Sequence, residues 1–149
     1  MKYLKRFWTT LTDCFHKESG VKKQLCDQEF LARFITSKRW YSIQKSIVKP
    51  QAFMPPPNLQ LSIFRIKDLK DPEIWEIGIK QVFEKMKQPK NLHGRADIKA
   101  VDIFDVDLQI EPDNPPPRHA NIINWPDQKE KVKSIAQELA AKASLRLNR

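Results

Sequence analysis

Three groupings of side chains in this sequence carry chemistry. The densest lies between Asn114 and Asp127, where Pro115–Pro117 lead into Arg118, His119, Asn121, Asn124 and Trp125. An imidazole titrates near neutral pH, so His119 can take a proton from a reacting group and return it. With Arg118 and Arg65 to balance charge on a pentavalent phosphate, it would run a metal-independent RNA cleavage or a related transfer. Lys38 is an alternative cation, and His93 and His16 are lesser candidates for the imidazole. The plainer role for His119 is a hydrogen bond at a surface corner.

The second grouping interleaves cations, hydroxyls and aromatics: Lys38, Arg39, Trp40 and Tyr41, then Lys45 and Lys49, with Lys22 and Lys23 upstream. Lys and Arg neutralise phosphates, hydroxyls donate to phosphate oxygens, and aromatic rings stack on unpaired bases. The stretch is therefore a candidate nucleic-acid contact, although it fits no established binding signature. A solvated turn with Trp40 in the core accounts for it equally well.

The third grouping is Asp105 and Asp107. On a strand, carboxylates at i and i+2 share a face about 7 Å apart. Joined by Asp102 or Asp97 they would reach the ligand count of a Mg²⁺ site. A solvated sheet face is the simpler reading, so no metal is assigned.

Other chemistry is excluded. The chain has three glycines and no P-loop, dinucleotide fingerprint or nucleophile elbow. No serine sits in a hydrolase motif, and no cofactor is expected. Cys14 and Cys26 match no zinc-ligand spacing and are expected as free thiols of a reducing cytoplasm, with one bridge between them as the rival.

Positioning these groups falls to a chain of 149 residues, 40% hydrophobic and 30% charged, which suits one folded domain. The net charge of +9 is uneven. Residues 1–50 hold eleven cations against four carboxylates, residues 51–110 nine of each, and residues 111–149 seven against five. A basic first third points to nucleic acid or an acidic protein surface as partner. No run approaches the ~20 apolar residues of a membrane span.

In chain order, residues 1–20 read as an amphipathic helix with Leu4, Phe7, Trp8, Leu11 and Phe15 on one stripe. The stripe reads as core packed on its own domain, as a membrane-surface face, or, through Phe7, Trp8, Leu11 and Phe15, as a docking face toward a larger assembly. Residues 21–149 read as one α+β domain. Asp27–Thr36 is expected as a helix, with a strand over Leu31–Thr36 as the rival. Ile47–Phe53 is expected as an edge strand, since Pro50 lies within it, and Leu59–Ile66 as a strand. Asp71-Pro72-Glu73 starts a helix to about Lys87. Ile98–Ile110 reads as strand, with the best alternation at Phe104–Glu111. A short strand follows Arg118, and Asp127 caps a last helix running to about Leu145, before a frayed basic tail.

The fold class is therefore α+β: an antiparallel or mixed sheet of four to six strands, with packed helices and an N-terminal helical extension. Three functions stay open: a basic binding protein for nucleic acid or an acidic partner, an interaction subunit docking through its N-terminal helix, and a metal-independent ribonuclease or transferase at His119.

Overall fold

Phe30-Leu31-Ala32-Arg33-Phe34-Ile35 has no clean alternation because both of its faces are covered. It is the strand β1 (Phe30–Ile35), hydrogen-bonded on both edges in the interior of the sheet. The helix expected over Asp27–Thr36 is thereby corrected. A periodicity argument cannot separate a doubly buried strand from a buried helix segment, and here pairing with two neighbours decides.

The computed structural model describes residues 25–86 and 91–148. The helix expected over residues 1–20, its docking residues Phe7, Trp8, Leu11 and Phe15, and Lys22 and Lys23 lie outside them. Beyond β1 come the ribbon strands β2 (Tyr41–Ser42) and β3 (Ile47–Val48), β4 (Leu61–Arg65) and helix α1 (Asp71–Ile77). Strand β5 (Gly94–Lys99), helix α2 (Ala100–Phe104) and strands β6 (Gln109–Pro112) and β7 (His119–Ile123) follow, then helix α3 (Lys129–Lys142) and strand β8 (Ser144–Leu147). Six strands form one antiparallel sheet in the order β6-β7-β4-β1-β5-β8. The fold is α+β, with three α-helices among the described residues.

One sheet face is apolar. Leu31, Ile35, Leu61, Ile63, Ala96, Ile98, Ala120 and Ile122 project from it against Val132, Ala136, Leu139 and Ala140 of α3 and against Phe53. Each large aliphatic side chain buried there contributes about 1.5–3 kcal/mol. The small residues of α3 let the helix lie close to the sheet. The opposite face carries Ala32, Phe34 and Phe64 in its centre, under Ile74 and Trp75 of α1. Polar side chains flank that centre on both sides.

Helix α1 starts as its sequence dictates: Pro72 sits in the first turn, and Glu73 Oε1 accepts from the Lys70 N–H at 3.2 Å. From Gly78 to Phe83 the helix continues as a π-helical turn, ending short of the expected Lys87. A β-carbon on Gly78 would stand 2.5 Å from Cε1 of Phe34, so only glycine permits this approach.

Five further expectations are corrected. The Phe104–Leu108 alternation is coincidental: α2 and a turn occupy it, and the strand begins only at Gln109. Residues 50–53 form a 3₁₀ turn rather than a strand, as the fixed φ of Pro50 favours. The cap of α3 is Gln128, without a side-chain bond, rather than Asp127. The tail is no frayed end: Ser144–Leu147 adds to the free edge of β5 as β8. Cys26 is in a disulfide rather than a free thiol. Among the described residues no helix is long and apolar enough to cross a membrane.

Candidate functional site

The β6–β7 hairpin aims His119. Residues 113–118 form the hairpin turn, with the Asn114–Pro115 and Pro115–Pro116 bonds cis. The Asp113 N–H donates to the His119 carbonyl at 2.9 Å, and the His119 N–H donates to the Pro116 carbonyl at 3.2 Å. Alternation along β7 buries Ala120 and Ile122 and turns His119 and Asn121 to the polar face.

On that face Nε2 of His119 lies 2.7 Å from Oγ of Ser62 on β4. Its Nδ1 lies 3.1 Å from the Asp113 carbonyl and 3.4 Å from Asp113 Oδ2. Asn121 Nδ2 donates to the same Oδ2 at 3.0 Å and steadies the carboxylate. The edge of the ring meets Phe64 at 5.2 Å between centroids. These contacts select a tautomer. A carbonyl and an ionised carboxylate only accept, so Nδ1 must carry the proton. In the neutral ring Nε2 then presents its lone pair to Ser62 Oγ–H. A serine hydroxyl, an imidazole that accepts from it and a carboxylate behind the imidazole are the parts of an activated nucleophile.

A cavity of about 320 Å³ opens at this group, lined among others by Arg33, Ser62, Gln81, Lys85 and His119. The β1–β4 ladder has only two pairs, Leu31–Arg65 and Ala32–Phe64. Beyond them Arg33 bridges the strands: Nη1 donates to the Ser62 carbonyl at 3.1 Å and Nε to the Ala52 carbonyl at 2.9 Å. Its guanidinium lies over Trp40 at 5.0 Å. Burial pushes its pKa down to about 10, which leaves it a cation at neutral pH. Lys85 Nζ donates to Gln81 Oε1 at 2.8 Å on the same cavity.

The other residues singled out by sequence fall elsewhere. Arg118, with φ of 69°, reaches the Lys67 carbonyl at 2.9 Å, and Arg65 pairs with Glu29 at 3.0 Å. Neither lines the His119 cavity. Lys38, Arg39 and Lys45 are exposed, and Lys49 is half-buried. Trp40 and Tyr41 are packed against the core, and the Tyr41 hydroxyl lies 3.3 Å from Nδ1 of His93. Asp107 has φ of 63° in a turn, and Asp97 is committed to Arg95. No group of three or more His, Cys, Asp or Glu able to hold a metal occurs among the described residues.

Sequence reasoning missed two things. Ser62 gave no local signal, since its partner lies 57 residues away and only strand pairing joins them. Also missed was a buried cluster across the same face. Arg95 on β5 donates from Nε to Asp97 at 3.0 Å and from Nη2 to Asp71 at 2.8 Å, and stacks over Trp75 at 4.7 Å. The Arg95 hydrogen bond and charge hold the Asp71 carboxyl below the usual range. Burial pushes Asp97 up, against the pull of Arg95. The visible signal was Arg95 and Asp97 at i and i+2, alternating with Gly94, Ala96 and Ile98. Comparisons with family models, with curated proteins and with solved structures return no match.

Proposed function

We propose that this chain is a metal-independent transferase or hydrolase of phosphate esters, with His119 as general base. The observation that carries the reading is the 2.7 Å contact between Ser62 Oγ and an imidazole whose other nitrogen is committed to Asp113. In this reading Ser62 Oγ attacks phosphorus as its proton passes to Nε2. The proton then leaves with the departing oxygen, and water or an acceptor hydroxyl reverses the sequence. Arg33 and Lys85 offset the charge that grows on the phosphoryl oxygens. The net charge of +9 favours a polyanionic substrate such as RNA. The test is turnover of single-stranded RNA and of a nitrophenyl phosphodiester in the presence of a chelator. Activity should persist there and fall about 10²–10⁴-fold in His119→Ala and Ser62→Ala. A folded His119→Ala protein with normal turnover would end the reading.

A second reading rests on the β2–β3 ribbon, where Lys38, Arg39 and Lys45 are exposed beside the exposed Ile43 and Ile47. It is a basic surface for nucleic acid or an acidic protein. Because Trp40 and Tyr41 are packed, charge rather than stacking would carry the affinity. Binding that stays flat between low and moderate salt would rule out phosphate contacts. Docking into a larger assembly through Phe7, Trp8, Leu11 and Phe15 rests on sequence alone. The disulfide at Cys26 favours an oxidising compartment over the cytoplasm.

A further inference from the structure

Residues 30–67 hold seven Lys or Arg and no Asp or Glu. The β2–β3 ribbon lies within that stretch. Lys38 and Arg39 stand at its base, on the turn that ends where β2 begins, and Lys45 stands at its apex. All three are exposed, and none forms an ion pair with another described residue. Asp71 shares a crevice with Ser46 of the apex, but Arg95 and Arg146 line it too and outweigh that carboxylate. The potential around the ribbon is therefore positive.

Two isoleucines are set into it. Ile43 opens the turn and Ile47 closes it, and they are 64% and 46% exposed. Register gives their directions. Tyr41 pairs with Val48 and Ser42 with Ile47, so by alternation Ile47 projects away from the Val48 side and Ile43 projects toward it. Val48 is buried in the core, whereas Ile43, on the same side, stands clear of it. The ribbon thus runs out past the body, and its apex is apolar on both sides.

Nucleic acid, an acidic protein and an anionic bilayer could each answer the charge. Isoleucine gains little against phosphates, and Trp40 and Tyr41, the rings that would stack on bases, are packed against the core. A stable protein interface covers about 800 Å² on each partner, and wrapping both sides of so narrow an apex would take a matching slot. A bilayer surrounds an inserted apex without one, and binding there grows with the apolar area buried and the attraction to anionic lipid. The dimensions agree. From Tyr41 to the apex the ribbon spans roughly 10 Å, and interfacial insertion takes up about 5–10 Å. Lys38 and Arg39 then come to rest within about a Debye length of the headgroups.

We propose that the β2–β3 ribbon docks this protein on an anionic lipid bilayer, with Ile43 and Ile47 inserted between headgroups and Lys38, Arg39 and Lys45 meeting their phosphates. This docking presupposes the ribbon's role as a basic surface and names what that surface meets. It does not depend on the His119 chemistry.

The experiment is co-sedimentation of the full chain with vesicles of phosphatidylcholine alone and of phosphatidylcholine mixed with phosphatidylglycerol, beside heparin capture and titration with single-stranded RNA. Only the mixed vesicles should carry the chain down. Ile43→Ser/Ile47→Ser should weaken that binding about tenfold or more and leave heparin capture unchanged. Lys45→Gln should weaken vesicle binding about fivefold. All three side chains are exposed, so the variants should fold, and thermal melts check that they do. No binding to mixed vesicles, equal binding to neutral ones, or undiminished binding by folded Ile43→Ser/Ile47→Ser would overturn the proposal. Heparin capture without vesicle binding overturns the lipid assignment and leaves the basic surface standing, and loss of both ends that reading as well. RNA bound where vesicles are ignored assigns the ribbon to nucleic acid instead.

Discussion

Two polar clusters share one face of the sheet, and they solve the problem of polarity beside a core in opposite ways. Around His119 every ring nitrogen has a partner, and the Asp113 side chain that orients it is largely exposed. Around Arg95 the cation is buried and clamped, yet one of its nitrogens has no partner among protein atoms. Between them stand Phe34 and Phe64, edge to face at 5.8 Å. Register sets His119 opposite Phe64, Phe64 opposite Ala32 and Ala32 opposite Asp97, so three strand spacings, roughly 14 Å, separate the rows. The contrast teaches that a satisfied network near solvent can exchange protons at small cost to the fold. A clamped, buried one contributes to the fold and is poorly placed to change its charge.

Four measurements sharpen or break this division. The largest effect is expected in turnover: His119→Ala should remove about 10²–10⁴-fold of any phosphodiester activity while stability changes by only about 0.5–1.5 kcal/mol, the net worth of a hydrogen bond. Arg95→Met should do the reverse. Stranding Asp97 beside a lost cation should cost about 3–5 kcal/mol in denaturant unfolding and leave catalysis in the surviving folded fraction near normal. Combining Ser62→Ala with Arg95→Met comes next. Sites this far apart should add to within about 0.3–0.5 kcal/mol, and strong coupling would show that the aromatic pair does not insulate them.

The smallest effect is in pH dependence. Asp71 has its folded pKa lowered, so its contribution is present above the ordinary aspartate range and fades as pH falls through and below it. Asp97 has its folded pKa raised, so the sign inverts. Its ionisation in the folded chain costs stability as pH climbs through and above the ordinary range, and Asp97→Asn should remove that dependence. Thermal melts of Asp71→Asn and Asp97→Asn against pH should therefore flatten opposite arms of the profile.

Local signals carried part of this architecture. Asp71-Pro72-Glu73 marked a helix start, and the short strand read after Arg118 is β7, whose buried side, Ala120 and Ile122, the packing supplies. Where burial was two-sided, as in β1, the period vanished and a helix was expected instead. Where alternation arose by chance, as at Phe104–Leu108, a strand was expected over a helix and turn. β8 exists because β5 offers a free edge, a cause that no window of ten residues contains. The site divides in the same way. His119 was legible from its own neighbourhood, whereas Ser62 and the Arg95–Asp71 contact depend on strand and helix placement across 57 and 24 residues. For Trp40, stacking surface and core plug read equally well from the sequence, and tertiary packing decides for the core, taking Tyr41 with it.

Gly78 sets how far the long helical segment stands from the sheet. Cδ1, Cε1 and Cζ of Phe34 lie 2.5–3.1 Å from where its β-carbon would be. The same segment roofs the His119 cavity through Gln81 and Lys85 and a cavity of about 720 Å³ beside Arg95 through Asp71 and Ile74. A single methyl at residue 78 would act as a wedge at the midpoint of that roof, so headroom on the two sides is governed by one atom's absence and is not adjustable separately.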